Sequence, residues 1–399
     1  MRTYLALTSL GLAALVGCSS APAPRTYETV FAVDGAPILA MASYRDGLLL
    51  ARLGALQTFD PETSTARQLT GPSYEVCPFR EGGSLWPDLY YPFPKSLRLT
   101  STGALELGVA NCGVWRLDPE HADVETPILH TDRPTKTTFW GATPGPYMMS
   151  NFLPTLTADS GDETIVCAQV DLVLHEGVGT GSGAFEPAHL EIWSIDADGR
   201  AARPIFVPKW STSTSAPIYP PEQCLGLAAN RDDVFFVSSV LGRQSLSRVS
   251  RATGAVTELS KFNGLSSAPI ETILAGDTLV IVPFEEFGTG GDDPSANYLP
   301  VLAVDLKTGM KRTLLHGVTR QSPVRYDFKV DGTELYWLDG LSLRRMPLAG
   351  GDVETIVEGH FDTGDGVFPD YAVLPDHVYF SHVVGHGDAT RYTLMRTPK

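Results

Sequence analysis

Residues 334–357 carry the pattern that decides the fold: ELYWLD at 334–339, LRRMP at 343–347, AGGD at 349–352 and VETIV at 353–357. Each apolar run is short, and each interval between the runs consists of turn-forming residues. The pattern therefore predicts consecutive antiparallel strands joined by tight turns.

The same plan recurs along the chain, and each copy is marked by an apolar residue at the onset of a turn. These markers are Phe59-Asp60, Leu117-Asp118, Ile195-Asp196, Val249-Ser250, Val304-Asp305 and Met346-Pro347. A further copy supplies two strands, VYF at 378–380 and YTLM at 392–395. Its outer strand has a candidate at the other end of the sequence, since YETVF at 27–31 resembles VETIV at 353–357.

A ring of four-stranded sheets whose last sheet is completed by an N-terminal strand is a β-propeller without an open edge. The sequence thus predicts an all-β fold, a β-propeller of seven four-stranded blades closed by the N-terminal strand, over residues 25–399. The marked copies lie 42 to 78 residues apart, against about 40 to 50 for common propeller repeats. Six or eight blades, or a two-sheet β fold, are the alternatives.

One copy also resembles a known repeat family. YWLD at 336–339, followed by Leu343-Arg344 and LAGG at 348–351, is similar to the YWTD-type propeller repeat. DVFFV at 233–237 and HVYFS at 377–381 keep the aromatic pattern without the motif. Propellers of this family are mostly binding domains, so the resemblance implies a propeller fold and favours binding over catalysis.

The N-terminal segment has the organisation of an export signal. Arg2 precedes an apolar run from Tyr4 to Val16 that is too short to span a bilayer. LVGC at 15–18 resembles the lipobox of bacterial lipoproteins. The resemblance implies a signal peptide over 1–17, a lipidated Cys18 and a tether over 18–24, with Ser19 favouring the outer membrane of the bacterial envelope. An ordinary secretory signal is the alternative.

The charge of the chain limits its partners. The formal net charge is -16, and removal of residues 1–17, whose only charged side chain is Arg2, leaves -17. Such a surface repels nucleic acid and anionic lipid headgroups. We therefore expect no nucleic acid partner, and we expect membrane association through the lipid anchor.

Four cysteines remain beyond Cys18, namely Cys77, Cys112, Cys167 and Cys224. An even number in an exported chain suggests two disulfides. Their order in the sequence favours Cys77 with Cys112 and Cys167 with Cys224. The two other pairings, and free buried thiols, are the alternatives.

Three long segments, 174–188, 284–298 and 383–390, belong to alternate blades, the third, fifth and seventh. In a propeller, connections of this kind open on one face around the central channel, so the long segments predict a loop-rich face. Acidic residues concentrate in the same region, including Asp292, Asp293, Asp365 and Asp370. Oxygen ligands suit calcium, which takes about 6 to 8 of them, so these residues are candidate ligands of a calcium site. A solvated acidic rim is the interpretation that the sequence favours.

Two segments combine aromatic and proline residues: WPDLYYPFP at 86–94 and FWGATPGPYMM at 139–149. Exposed rings on proline-stiffened loops can stack on a sugar or hold a peptide. Trp86, Tyr91, Trp140 and Tyr147 are therefore candidate ligand-binding residues. Alternatively, these rings cover the ends of the second and third blades.

The motifs that mark a serine nucleophile, G-x-S-x-G and S-x-x-K, do not occur, and we name no catalytic residue. The sequence predicts a lipid-tethered envelope protein that acts as a binding or scaffold module for an envelope protein or glycan. One alternative is a propeller hydrolase or lyase that acts on an envelope glycan or lactone with a divalent cation. Another is a carbohydrate-binding lipoprotein.

Overall fold

The computed structural model describes residues 26–33, 38–52, 55–69, 94–99, 105–109, 113–117, 125–131, 137–138, 157–159, 163–170, 189–196, 202–206, 223–240, 243–263, 271–283, 300–316, 328–339, 342–359, 370–384 and 391–399. These residues form strands and turns, and they contain no helix. The described part of the chain therefore has no helix that is long and apolar enough to cross a membrane.

The strands follow one another in short antiparallel sheets, numbered here in chain order. After β1 (Glu28–Val33), sheet 1 holds β2 (Ile38–Tyr44), β3 (Gly47–Arg52), β4 (Ala55–Asp60) and β5 (Thr65–Leu69). Sheet 2 holds β6 (Pro94–Leu99), β7 (Leu105–Val109), β8 (Gly113–Leu117), β9 (Glu125–Thr131) and β10 (Thr137–Thr138). Sheet 3 holds β11 (Thr157–Asp159), β12 (Glu163–Val170), β13 (His189–Asp196) and β14 (Ala202–Phe206).

The second half of the chain continues the same plan. Sheet 4 holds β15 (Gln223–Ala229), β16 (Asp233–Val240), β17 (Arg243–Ser250) and β18 (Val256–Asn263). Sheet 5 holds β19 (Glu271–Ala275), β20 (Thr278–Val282), β21 (Val301–Asp305) and β22 (Lys311–Leu315). Sheet 6 holds β23 (Phe328–Asp331), β24 (Glu334–Asp339), β25 (Ser342–Pro347) and β26 (Glu354–Val357). Sheet 7 holds β27 (Tyr371–Val373), β28 (His377–Val384) and β29 (Arg391–Pro398).

Strand β1 is the fourth strand of sheet 7. It pairs antiparallel with β29, with Glu28 opposite Arg396 and Val33 opposite Tyr392. The predicted N-terminal strand is thus confirmed in its position beside the last strand of the chain. The prediction of four strands in every blade differs at sheet 2, where the two-residue strand β10 adds a fifth strand by pairing Thr137 with Thr131.

Neighbouring sheets pack on one another in chain order. Buried apolar side chains are shared between sheets 3 and 4, between sheets 4 and 5, and between sheets 5 and 6. Sheets 6, 7 and 1 share a further core that contains Tyr336, Tyr371 and Phe59. The first strands of successive sheets also lie side by side, as β2 does with β6 and with β27. First strands that face each other across successive meandering sheets are the arrangement of a β-propeller, so the predicted all-β propeller fold is confirmed. Seven blades and full closure of the ring stay predictions.

The two ends of the sheets differ. We call "turn end" the end at which the first and third strands finish, and "loop end" the opposite end. At the turn end, first and second strands are joined by tight turns such as 45–46, 276–277 and 332–333. The markers found in the sequence all lie here, since Phe59, Val249, Val304 and Met346 stand at the ends of third strands.

Hydrogen bonds within and between the turns explain why the markers recur. Asp305 Oδ1 accepts hydrogen bonds from the amides of Lys307 and Thr308, at 3.0 and 2.8 Å. The bonds from Thr308 lower the pKa of the Asp305 carboxyl. The amide that follows the third strand also donates to the first turn of the same sheet, as from Leu306 to the Asp277 carbonyl oxygen at 2.8 Å. The repeat in the sequence is therefore a repeat of turn hydrogen bonding.

Candidate functional site

The first strands of sheets 6, 7 and 1 meet at a buried polar cluster. It consists of Lys329 in β23, Asp370 immediately before β27, and the backbone of Met41 in β2. Asp370 begins the first strand of its sheet, which places it at the loop end. We call this group the inner-strand cluster.

The backbone of Asp370 is held by the neighbouring strand. Its amide donates to the Ser381 hydroxyl at 3.0 Å, and its carbonyl oxygen accepts from the Ser381 amide at 3.0 Å. These bonds fix the direction in which the Asp370 side chain leaves the strand. The side chain is 9% exposed, so its charge lies in a poorly solvated place.

The Asp370 carboxylate is bound by three groups from three sheets. Oδ1 accepts from Lys329 Nζ and from the Tyr371 amide, each at 2.7 Å. Oδ2 accepts from the Met41 amide. Hydrogen bonds to an ionised carboxylate favour its charged form, and the ammonium neutralises that charge.

Lys329, the basic partner of Asp370, also contacts residues of all three sheets. Its Nζ also donates to the carbonyl oxygens of Tyr371 and Met41, the latter at 3.4 Å. The Nζ lies 4.5 Å from the centre of the Tyr371 ring, which is cation-π distance. The inner-strand cluster therefore fixes the spacing of these three first strands, and it gives the loop end of sheets 6, 7 and 1 a rigid base.

These contacts bear on the predicted calcium site. An ammonium already neutralises the Asp370 carboxylate, so a cation bound there would have to displace Lys329. Asp292, Asp293 and Asp365 lie outside the described residues. Within the described ranges, no group of three or more His, Cys, Asp and Glu side chains could hold a metal ion. The calcium site stays a prediction.

Other predicted site residues also lie outside the described ranges. They are the lipidation candidate Cys18, the cysteines Cys77 and Cys112, and the aromatic candidates Trp86, Tyr91, Trp140 and Tyr147. Of the two predicted disulfides, the pair Cys167–Cys224 is present. It joins β12 of sheet 3 to β15 of sheet 4, and both cysteines are buried.

The loop end carries the long connections that the sequence predicted. The second and third strands of sheets 3, 5 and 7 are separated by residues 171–188, 283–300 and 385–390. The equivalent connections of sheets 1, 4 and 6 are residues 53–54, 241–242 and 340–341. Because second strands finish and third strands begin at the loop end, all three long connections start and finish there. Their presence in alternate sheets is confirmed.

A second polar cluster lies at the turn end, between sheets 3 and 4. Glu163, at the start of β12, accepts hydrogen bonds from Ser194 Oγ at 2.5 Å and from Arg203 Nη2 at 2.9 Å. Arg251, in a turn of sheet 4, donates to the same carboxylate. Burial raises the pKa of Glu163, but the Ser194 and Arg203 hydrogen bonds and the arginine charges outweigh it, so the pKa lies below its ordinary value.

Sequence reasoning missed Lys329, Glu163 and Arg251. Lys329 stands between Phe328 and Val330 in an ordinary alternating strand, which offers no sign of a buried ion pair. The available signal was positional, because a lysine in one predicted first strand and an aspartate at the start of the next come together in a propeller.

Comparison with known proteins found similar solved structures at low sequence identity. Similar solved structures include the nidogen/laminin complex, at 13% identity over 77% of this chain and 92% of that chain, with a TM-score of 0.40. The β-propeller domain of Myceliophteria thermophila Cps50 (Swd1) is 12% identical over 93% of this chain and 99% of that chain, with a TM-score of 0.49. The Dos1 propeller is 13% identical over 94% of each chain, with a TM-score of 0.47. No protein-family model and no curated protein matches the chain.

The class of protein follows from the sheets themselves. Successive meanders of four or five strands pack through their first strands, and β1 pairs with β29 in the last sheet. This arrangement makes the chain a β-propeller protein.

Proposed function

We propose that this chain is a lipoprotein of the bacterial cell envelope that acts as a binding or scaffold module and meets its partner at the loop end. One observation carries the proposal of binding: the two ends of the sheets are built differently. The described turn end consists of short, hydrogen-bonded turns, whereas the long connections of sheets 3, 5 and 7 all start and finish at the loop end. Long connections on a rigid scaffold are where propellers and other folds carry binding residues.

The inner-strand cluster supports this division of roles. Lys329 and Asp370 hold the first strands of sheets 6, 7 and 1 together, so the long connection of sheet 7 starts from a fixed base. A rigid base lowers the entropy lost when a partner binds. The partner we propose is an envelope protein, and a glycan bound by the aromatic segments is the alternative partner.

The lipobox-like segment of the sequence supports the proposed location. LVGC at 15–18 gives the chain its lipobox-like end, and the net charge of -16 removes electrostatic attraction to anionic lipid as a competing way to reach the membrane. Lipid groups on both the thiol and the new amino terminus give a stable membrane attachment, which a single acyl chain does not.

The anchor is tested by Cys18→Ala in cells fed a labelled fatty acid. We expect the wild-type chain to carry the label and to sediment with membranes, and the variant to lose both properties. Ser20→Ala is the matched control, because it changes a residue two positions away and leaves Cys18 and the buried disulfide intact. Equal labelling of wild type and Cys18→Ala would refute the lipoprotein assignment.

The binding face is tested by photocrosslinking in intact cells. A photoreactive residue at Arg243 or Arg391, which are exposed and begin strands at the loop end, should give a discrete adduct with a partner protein. The same residue at the exposed turn-end positions Glu62 or Ala252 should not. Adducts from the turn end alone would contradict the proposed binding face.

The alternative glycan partner is tested with Trp140→Ala. If this variant loses glycan retention while it keeps its fold, the partner is a glycan and not a protein.

A further inference from the structure

We infer that the turn end of the propeller faces the lipid bilayer and touches it with a row of exposed apolar side chains, while the loop end points away from the membrane. This inference rests on the proposed lipid anchor. It adds the orientation of the molecule and an interaction surface to it.

The direction of β1 places the tether at the turn end. Glu28, at the start of β1, lies opposite Arg396, and Val33, at its end, lies opposite Tyr392. Strand β29 begins at the loop end and finishes at the turn end, where Pro398 lies opposite His377. The chain therefore enters β1 from the turn end, and the segment that leads back to Cys18 leaves the molecule there.

The tether is short compared with the height of the sheets. Residues 19–27 separate Cys18 from β1, and fully extended they reach at most about 32 Å. Strands such as β16 and β17 contain 8 residues each, so the sheets are about 26 Å tall. A tether that had to run past the sheets to the loop end would be almost used up, so a lipid on Cys18 keeps the turn end nearest to the bilayer.

Contacts between sheets show that their turn ends lie on one side. Lys399 at the turn end of sheet 7 forms an ion pair with Asp331 at the turn end of sheet 6. Arg312 of sheet 5 donates to the Leu348 carbonyl oxygen in a turn of sheet 6. Arg251 of sheet 4 reaches Glu163 of sheet 3 in the same way. These turn ends therefore present a common surface.

That surface carries the exposed apolar side chains. The large hydrophobic residues exposed within the described part of the chain are Val256, Met310 and Val353, at 44%, 72% and 43%. All three stand where the fourth strand begins, at the turn end of sheets 4, 5 and 6. Sheet 6 is the neighbour of sheet 7, in which β1 begins at the turn end.

A lipid surface fits this row better than an ionic partner. The net charge of -16 gives no attraction to anionic headgroups, whereas apolar side chains gain free energy by entering the interfacial region of a bilayer that the anchor already holds close. A partner protein on the turn end is the competing occupant.

The test uses the full lipidated chain in phosphatidylcholine vesicles that contain a nitroxide-labelled lipid. Two single substitutions, Ala252→Cys and Arg243→Cys, place an environment-sensitive fluorophore at opposite ends of the β17 region of sheet 4, with the unsubstituted chain as the labelling blank. We expect the Ala252→Cys label to be quenched severalfold more than the Arg243→Cys label. Adding Val256→Ser, Met310→Ser and Val353→Ser should reduce quenching at Ala252→Cys while the chain stays bound to vesicles.

The outcomes separate the two proposals. A wild-type chain that does not bind vesicles removes the anchor and this inference with it. A chain that binds but shows equal quenching at the two positions, or stronger quenching at Arg243→Cys, leaves the anchor intact and overturns the orientation. Quenching that the three serine substitutions do not change overturns the apolar contact, as does a protein adduct at Ala252 in cells.

Discussion

The carboxylate of Asp370 shows how one residue can tie together distant parts of this chain. Its bonds reach Met41, 329 positions away in sequence, and Lys329, 41 positions away. The sequence singled out Asp370 as acidic and near the loop end, because composition and strand order are visible there. It could not show the partners, because their proximity depends on the stacking of sheets 6, 7 and 1.

Removing the charge of Asp370 should destabilise the fold. In Asp370→Asn the ammonium of Lys329, which is only 26% exposed, loses the carboxylate charge beside it. Breaking one side of a buried pair is costly, and with partial exposure we expect a loss of about 2 kcal/mol in the free energy of unfolding, measured by urea denaturation.

The matched control is Asp277→Asn. Asp277 pairs with Lys307 at the surface, where the side chains are 64% and 72% exposed, so the urea midpoint should not change measurably. Equal effects of the two substitutions would show that the inner-strand cluster does not hold the sheets together.

Glu163 should make stability depend on pH. Its pKa is lower in the folded chain than its ordinary value of 4.5, so the unfolded chain binds its proton first as the pH falls. The carboxylate therefore contributes stability that is complete above pH 4.5 and is lost as the pH falls through the folded pKa.

The measurement compares wild type with Glu163→Gln by urea denaturation at several pH values. We expect the wild type to be more stable by about 1 to 2 kcal/mol at pH 7 and the difference to shrink in acid. A difference that stays constant down to pH 3 would contradict the assigned role, and Glu62→Gln, at an exposed turn position, serves as the control.

At the scale of single elements, strands and turns were predictable because their causes are local. ELYWLD at 334–339 is β24 residue for residue. The acidic markers Asp60 and Asp305 accept hydrogen bonds from backbone amides of their own turns. The fifth strand of sheet 2 was not predicted, since a two-residue strand leaves no periodic pattern. The order of the cysteines in the sequence favoured a disulfide between Cys167 and Cys224. Packing of β12 against β15 brings these two cysteines together.

The Cys167–Cys224 disulfide should stabilise the joint between sheets 3 and 4. It closes a loop of 57 residues, for which the restriction of the unfolded chain is worth about 4 kcal/mol. We expect Cys167→Ala with Cys224→Ala to lower the urea midpoint and to abolish the effect of a reductant that acts on this bond. Unchanged stability of the double variant would contradict this role.

Turns of one sheet also rest on the fourth strand of the sheet before it. Gly309 has a φ of +71°, and a Cβ there would collide with the Leu259 carbonyl oxygen of sheet 4. Gly276 has a φ of +58° with nothing within 4 Å of the Cβ position. Gly276→Ala should therefore cost about 1 kcal/mol for its backbone conformation, and Gly309→Ala clearly more, as measured by thermal unfolding. Equal losses of stability in the two variants would contradict a close contact between Gly309 and the Leu259 carbonyl oxygen.

At the scale of the whole molecule, the pairing of the two ends of the chain organises both structure and proposed function. Strand β1 completes sheet 7 beside β29, and its direction places Glu28, where β1 begins, at the turn end. The sequence predicted this strand because YETVF resembles VETIV. It could not predict at which end of the sheets β1 begins, which follows only from its register with β29.

The most direct test of the account is a disulfide engineered across this pairing. Ala32 and Thr393 are Cα partners in β1 and β29, so Ala32→Cys with Thr393→Cys should form an intrachain bond on mild oxidation, detected by peptide mass spectrometry. Ala32→Cys with Arg396→Cys, which lie out of register, should form little. Efficient bonding of the first pair alone is the predicted result, whereas equal bonding of both pairs, or of neither, would contradict an N-terminal strand that completes the last sheet.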